Sequence, residues 1–252
     1  MKRMIVALLF SWFSMMAYGA GGNGYPLDPI DTDHSDKASL QRGLKYYQNY
    51  CAACHGMSFQ RYERVADDLG IPHDLMMENI VFNPDAKIGD LMTNSLDPYE
   101  AKQFFGVVPP DLTLVSRVRG ESWLYTYLRT FYEDPKRPLG VNNKVFPDVG
   151  MPHALLDLQG VQVGSCAGGD FGAQDPLTGD SLCTLTIDPE RQGAMSPAEF
   201  DQAVYDLVNF MSYSAEPMRT ARQQMGIYVL LFLVIFGVFA YLLKREYWKD
   251  VH

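Results

Sequence analysis

Apolar positions along the chain recur mainly at helical spacing. Leu40, Leu44, Tyr47 and Cys51 fall at i, i+4, i+7 and i+11, one face of a helix that Ser35 or Asp36 can cap. Gly43 lies within it, where glycine weakens the helix but permits close approach of a second backbone. Asp97-Pro98-Tyr99-Glu100 has the form of a capping box with proline in the first turn, opening a short helix that closes near Gly106. Glu121 to Tyr132 places Leu124, Leu128 and Phe131 on one face. Ser196-Pro197-Ala198-Glu199 is a clearer capping box, followed by the stripe Phe200, Val204, Leu207, Val208 and Met211. Between these helices run long stretches without period. Val141 to Gly160, with Pro147, Gly150 and Pro152, reads as a loop that must hold a shape. Gly160 to Asp188, rich in Gly, Asp, Thr and Ser, reads as a second loop. The expectation is helices and loops with little strand.

The two ends are apolar in different ways. Lys2-Arg3, an apolar run from Met4 to Met16 and a small-residue exit at Ala17-Tyr18-Gly19-Ala20 describe a signal peptide over residues 1–20, cleaved after Gly19 or Ala20. Gly226 to Leu243 carries no charge over eighteen residues and is followed at once by Lys244-Arg245, then Tyr247 and Trp248. That is long enough to span a bilayer with little tilt, with aromatics at headgroup level. An exported domain over residues 21–225, a span over 226–243 and an internal tail over 244–252 follow from the two together.

Composition excludes several classes. At 47% hydrophobic and 20% charged residues, the 252-residue chain is neither disordered nor a disulfide-dense mini-protein. Its net charge of −9 argues against a nucleic-acid binder. Setting aside Lys2, Arg3 and the five charges of the tail leaves 16 basic and 28 acidic residues, so the exported part stands at −12. Such a domain draws cationic partners in a salt-sensitive way, and the same charge also serves solubility.

The four cysteines divide into two jobs. Cys51-Ala52-Ala53-Cys54-His55 has the spacing at which two thiols reach the vinyl groups of a haem, with the adjacent histidine beneath the iron. A redox pair would need a preceding strand and a βαβ pattern, which is absent. A zinc site would need further ligands at suitable spacing, and a plain disulfide makes no use of the histidine. Cys166 and Cys183 stand in the Gly/Asp-rich stretch, where an oxidising compartment favours pairing; free thiols or a metal site are the alternatives. For a sixth iron ligand, Met151 in Val149-Gly150-Met151-Pro152 is the leading candidate, with His153 as its local rival and Met92 as the distant one. Arg117 and Arg119 are candidates for a haem propionate, and one of the two is expected to be an ordinary surface arginine.

Taken in order, the motifs resemble those of the cytochrome c1 family, the haem subunits of ubiquinol–cytochrome c reductase (bc1) complexes, in a bacterial form. The resemblance begins near Asp33. It rests on Arg42-Gly43, Tyr47 and the Cys51–His55 motif, on Pro109-Pro110-Asp111-Leu112 with Arg117 and Arg119, and on Gly150-Met151-Pro152. Met195-Ser196, Ala215-Glu216-Pro217, Arg222 and Met225-Gly226 lead into the terminal span. The resemblance implies an all-α, class I cytochrome c-like haem domain with long loops, plus one C-terminal transmembrane helix.

It also implies one covalently attached haem c on Cys51 and Cys54, with His55 and Met151 as axial ligands, Arg119 at a propionate, Trp123 beside the haem and Pro110 in the crevice wall. The implied role is electron transfer without a bond-making site: from a Rieske iron–sulfur protein to a soluble or tethered c-type cytochrome, beside a cytochrome b subunit. The implied setting is a dimeric complex in the inner membrane, with the haem domain in the periplasm. The competing reading is a free-standing membrane-anchored cytochrome that donates to a terminal oxidase. Two features depart from the mitochondrial pattern. Phe104-Phe105 stand where those relatives carry small polar residues. The Cys166–Cys183 stretch has no counterpart there, although some bacterial relatives have a disulfide in this region.

Overall fold

The computed structural model describes residues 25–166 and 183–249, so the signal peptide reading lies outside the described residues. Two helices form the frame. Helix α1, Lys37–Tyr50, starts where the Asp36 carboxylate accepts from the Ser39 N–H, and it buries Leu40, Leu44 and Tyr47. It is followed by strand β1 (Met57–Arg61), helices α2 (Tyr62–Leu69) and α3 (His73–Asn79), strand β2 (Leu91–Met92) and helix α4 (Pro98–Phe105). Asp97 caps α4 through the Tyr99 and Glu100 N–H groups, and Gly106, at φ 74°, ends it.

Next come α5 (Val115–Arg119), α6 (Glu121–Arg129), strands β3 (Phe131–Glu133) and β4 (Val141–Asn143), and α7 (Leu156–Gln159). Strands β5 (Gly160–Cys166) and β6 (Cys183–Gln192) then lead to the two last helices, α8 (Pro197–Ala215) and α9 (Arg219–Tyr247). The strands pair antiparallel in three two-stranded ribbons, β1 with β2, β3 with β4 and β5 with β6.

The two frame helices, α1 and α8, are packed against each other. The stripe Phe200, Val204, Leu207, Val208 and Met211 is buried as its spacing predicts. At their contact runs a buried polar seam. The Asp206 carboxylate, 1% exposed, accepts from Arg42 Nε at 2.6 Å and Ser39 Oγ at 2.7 Å, and Asn209 Nδ2 donates to Ser39 Oγ at 3.0 Å. Each donor satisfies an acceptor that would otherwise be costly to bury. Helix α6 also packs on α8, tied to it by Arg129 to Asp201 at 2.7 Å, while Arg129 pairs with Asp28 at 2.7 Å as well.

The start of α8 is the capping box read from its sequence. The Ser196 N–H donates to Glu199 Oε2 at 2.9 Å, and the Glu199 N–H donates back to Ser196 Oγ at 3.4 Å. Ser196→Ala should cost about 1 kcal/mol, read as a lowered urea midpoint of the detergent-solubilised protein with an unchanged slope.

Two expectations change on folding. The stretch Gly160 to Asp188 is not wholly loop, since its two ends form β5 and β6 with Gln162 opposite Ile187 and Cys166 opposite Cys183. The Thr184-Leu185-Thr186-Ile187 run supplies the alternation and β-branching that the neighbouring glycines mask. Helix α6 stops at Arg129 rather than Tyr132, because Phe131 and Tyr132 pair with Asn143 and Asn142.

Helix α9 is of a different kind. Its 29 residues include a window of mean hydropathy 2.6, none of which is buried within the chain. The uncharged stretch 226–243 rises about 27 Å, close to a hydrocarbon core of roughly 30 Å. With its apolar surface facing outward all round, it is the one helix among the described residues long and apolar enough to cross a membrane.

Candidate functional site

The Cys51–His55 motif begins at the last turn of α1. Cys51 caps that helix, donating its N–H to Tyr47 O at 2.9 Å, and the chain then folds back so that the Cys54 and His55 N–H groups both donate to Cys51 O, at 3.0 and 2.8 Å. Tyr47 Oη donates to His55 O at 2.8 Å and Asn94 Nδ2 donates to Cys54 O. Both thiols are free. Burial pushes the Cys51 thiol up to about 12, with Cys54 adding to the effect, so Cys51 holds no ready thiolate for redox exchange. Neither the strand arrangement of a redox pair nor a metal cluster accompanies it: among the described residues no three His, Cys, Asp or Glu side chains are grouped to hold a metal ion.

The segment after Pro109 fixes the histidine. His55 Nδ1 lies 2.7 Å from Pro110 O, a bond in which the carbonyl can only accept. The proton is therefore on Nδ1, and Nε2, which has no hydrogen-bond partner among the described residues, keeps its lone pair. Burial holds His55 below the usual histidine range, against the opposing pull of the Pro110 carbonyl and Asp111, so the ring is neutral. Three further bonds align the two segments: Leu112 N to Gly56 O at 2.9 Å, Ser58 N to Asp111 Oδ2 at 2.7 Å and Phe59 N to Thr113 Oγ1 at 3.3 Å.

A second group of candidate residues forms one chain of contacts. The Arg119 guanidinium lies over the rings of Trp123, 5.1 Å to the centroid, and Phe146, at 5.7 Å. Trp123 stacks on Tyr127 at 4.8 Å and 11°, and Tyr127 Oη donates to Met151 Sδ at 3.3 Å. The two arginines differ in their partners. Arg117 pairs with Glu216 at 3.3 Å, whereas Arg119 has no carboxylate partner among the described residues. Cys51, Leu112, Leu124 and Tyr127 belong to one buried core, against which Trp123 and Met151 pack.

The rivals of Met151 are otherwise engaged. His153 stacks on Phe131 at 5.0 Å and 8°, and its Nε2 bonds to Gln159 Oε1 at 2.8 Å. Burial pushes it down to about 4. Met92 is buried opposite Met57 in the first ribbon. Tyr127 is the site residue that the sequence analysis missed, although its i+4 spacing from Trp123 on one helix is a usable signal.

The donor set fits a covalently held haem. It offers two free thiols on one tight turn, a neutral histidine with one nitrogen locked and one available, a thioether beside a glycine, and an arginine without a carboxylate partner among the described residues. At Gly150 a Cβ would meet Val107 Cγ1 at 3.1 Å and Phe105 O at 3.2 Å, so the thioether loop and the turn after α4 approach each other closely. Val107, Val108, Leu114, Val118 and Phe146 are exposed apolar side chains on these same segments, the kind of surface a porphyrin covers.

Comparison with known proteins agrees. The model of the Cytochrome C1 family matches residues 30–165 and 190–251. A protein of Allochromatium vinosum named cytochrome c1 is 46% identical over the whole of both chains. One of Nitrosomonas europaea named ammonia monooxygenase gamma subunit is 42% identical over all of this chain and 98% of its own. One of Bradyrhizobium diazoefficiens named cytochrome b/c1 is 28% identical over 86% of this chain and 34% of its own length.

Proposed function

The chain belongs to the cytochrome c1 family, with one covalently attached haem c, and is a haem subunit of a bc1-type complex; from that premise we propose that it carries electrons singly from a Rieske iron–sulfur protein to a c-type cytochrome. The bound iron would supply reversible one-electron chemistry. Everything else is the work of this chain's residues.

Cys51 and Cys54 would hold the haem through two thioethers, and His55 and Met151 would ligate its iron. The Nδ1 proton of His55, held on Pro110 O at 2.7 Å, keeps its other nitrogen in the ligating form; this single observation carries the assignment. Two such ligands from this chain would leave no open position for oxygen, so the group would supply electron transfer alone. Arg119 holds a propionate, and its lack of another carboxylate partner among the described residues supports that role. Trp123 and Pro110 would line the haem site. Residues 1–20 direct export, residues 21–225 form the periplasmic domain, the span 226–243 docks beside a cytochrome b subunit in the inner membrane, and the tail 244–252 stays inside. A Cys166–Cys183 disulfide would cross-link the β5–β6 ribbon, where the two Cα positions are register partners. Closing that loop would add about 2–4 kcal/mol.

The test is purification from detergent-solubilised membranes, read with a reduced-minus-oxidised spectrum. Cytochrome b and Rieske subunits should co-purify in a dimeric assembly. Isolation of the chain alone, still spectroscopically a c-type cytochrome, would favour a free-standing carrier. Isolation with monooxygenase subunits would favour the role that the Nitrosomonas relative's name describes.

A further inference from the structure

We propose that Tyr127 is a positioning residue for the Met151 sulfur, and that its hydroxyl sets how strongly that sulfur donates to the iron. The inference deepens the reading of Met151 as an axial ligand and rests on it.

The side chain is 9% exposed, and a hydroxyl at that depth must find a partner. Among the described residues its one hydrogen bond is the 3.3 Å contact to Met151 Sδ. Sulfur is a weak acceptor, so this bond alone would not hold the ring. Packing does. Trp123 lies flat on one face, and Phe131 meets the ring at 5.1 Å and 68°. The backbone is fixed as well: Asn143 Nδ2 donates to Tyr127 O at 2.7 Å, while Asn143 Oδ1 accepts the Val145 and Phe146 N–H groups at 2.9 and 3.1 Å. The phenol is thus rigid, and the thioether, on a flexible unbranched side chain, takes up its position against it.

A thioether sulfur has two lone pairs. One accepts the tyrosine proton, which leaves the other for the metal and fixes its direction. The same bond draws electron density from the sulfur. A poorer donor stabilises the ferric state less, and hydrogen bonding to a ligand is one of the means by which a protein raises a potential. The hydroxyl therefore favours the reduced form.

The experiment compares Tyr127→Phe, Met151→Leu and the parent in the full-length holoprotein, by redox titration and by the far-red absorption band of thioether-ligated ferric haem. In Tyr127→Phe the ratio of ferrous to ferric protein at a fixed solution potential should fall about fivefold, the worth of one neutral hydrogen bond. The thioether band should be displaced or weakened, with haem content unchanged. A potential and a band both equal to the parent's would overturn the proposal. Met151→Leu should abolish the band. If it does not, the ligand assignment itself is wrong, and the two failures are told apart.

Discussion

Met151→Leu should leave haem attached and lower the midpoint potential by about 0.2 V, a fraction of the roughly 0.8 V that axial ligands span. Attachment is expected to survive because it depends on Cys51 and Cys54, which lie at the C-cap of α1 and on the turn after it, far along the chain from Met151. Leucine and methionine are close in volume, so the packing against Tyr127 and the core should change by less than about 1.5 kcal/mol. What is lost is the thioether, a ligand that favours ferrous iron. The sixth position should then open to small ligands, and carbon monoxide should bind the reduced variant where the parent excludes it. His153 is not placed to substitute, since its Nε2 is bonded to Gln159 and its ring lies on Phe131. Redox titration and carbon monoxide difference spectra read both effects. A variant with the parent's potential and no carbon monoxide binding would transfer the ligand role elsewhere.

How much of this was legible in the chain depended on how local each signal is. The three caps at Asp36, Asp97 and Ser196 each involve residues within three positions of one another: Asp36 rather than Ser35 caps α1, Asp97 caps α4 through its own side chain, and Ser196 forms the full reciprocal box with Glu199. The haem motif is equally local. The proposed ligand pair is not: His55 and Met151 are 96 positions apart in the chain, and spacing alone left His153 and Met92 in competition. The structure weighs against both through contacts that a linear reading does not contain, a stack on Phe131 and burial opposite Met57. It also divides Arg117 from Arg119, because Glu216, the partner of the first, lies at the far end of α8.

Other elements were missed despite a local signal. Tyr62, Val65, Ala66 and Leu69 have the i, i+3, i+4, i+7 spacing of α2, and all are buried. The β5–β6 ribbon was obscured by composition, since serine, threonine and glycine are shared by strands and loops. Tyr127 was not singled out in the sequence. Only its hydroxyl contact to sulfur gives it a role at the site.

Gly43→Ala sets two effects of opposite sign against each other. In an isolated helix the change would stabilise by about 1 kcal/mol, since alanine loses less backbone freedom than glycine. Here a Cβ at position 43 would stand 2.0 Å from Asp206 O and 2.6 Å from Phe210 Cβ. The first of these is backbone of α8 and cannot rotate away. Relief requires α1 and α8 to separate, which loosens the Arg42 and Ser39 bonds to Asp206 and opens gaps around Leu44 and Leu207. Overpacking of this kind costs about 1–3 kcal/mol where side chains can yield and more where they cannot. The net result should be a loss of at least about 2 kcal/mol. Because α1 leads directly into Cys51, a shifted helix also displaces the turn that presents His55 to Pro110 O. Holoprotein yield should fall, and the thermal midpoint of the haem spectrum should drop by several degrees. Gly237→Ala is the matched control: that glycine lies in the span with nothing within 4 Å of its added Cβ, and both readings should stay at the parent's values. A Gly43→Ala protein as stable as this control would mean that the two helices do not meet at that glycine.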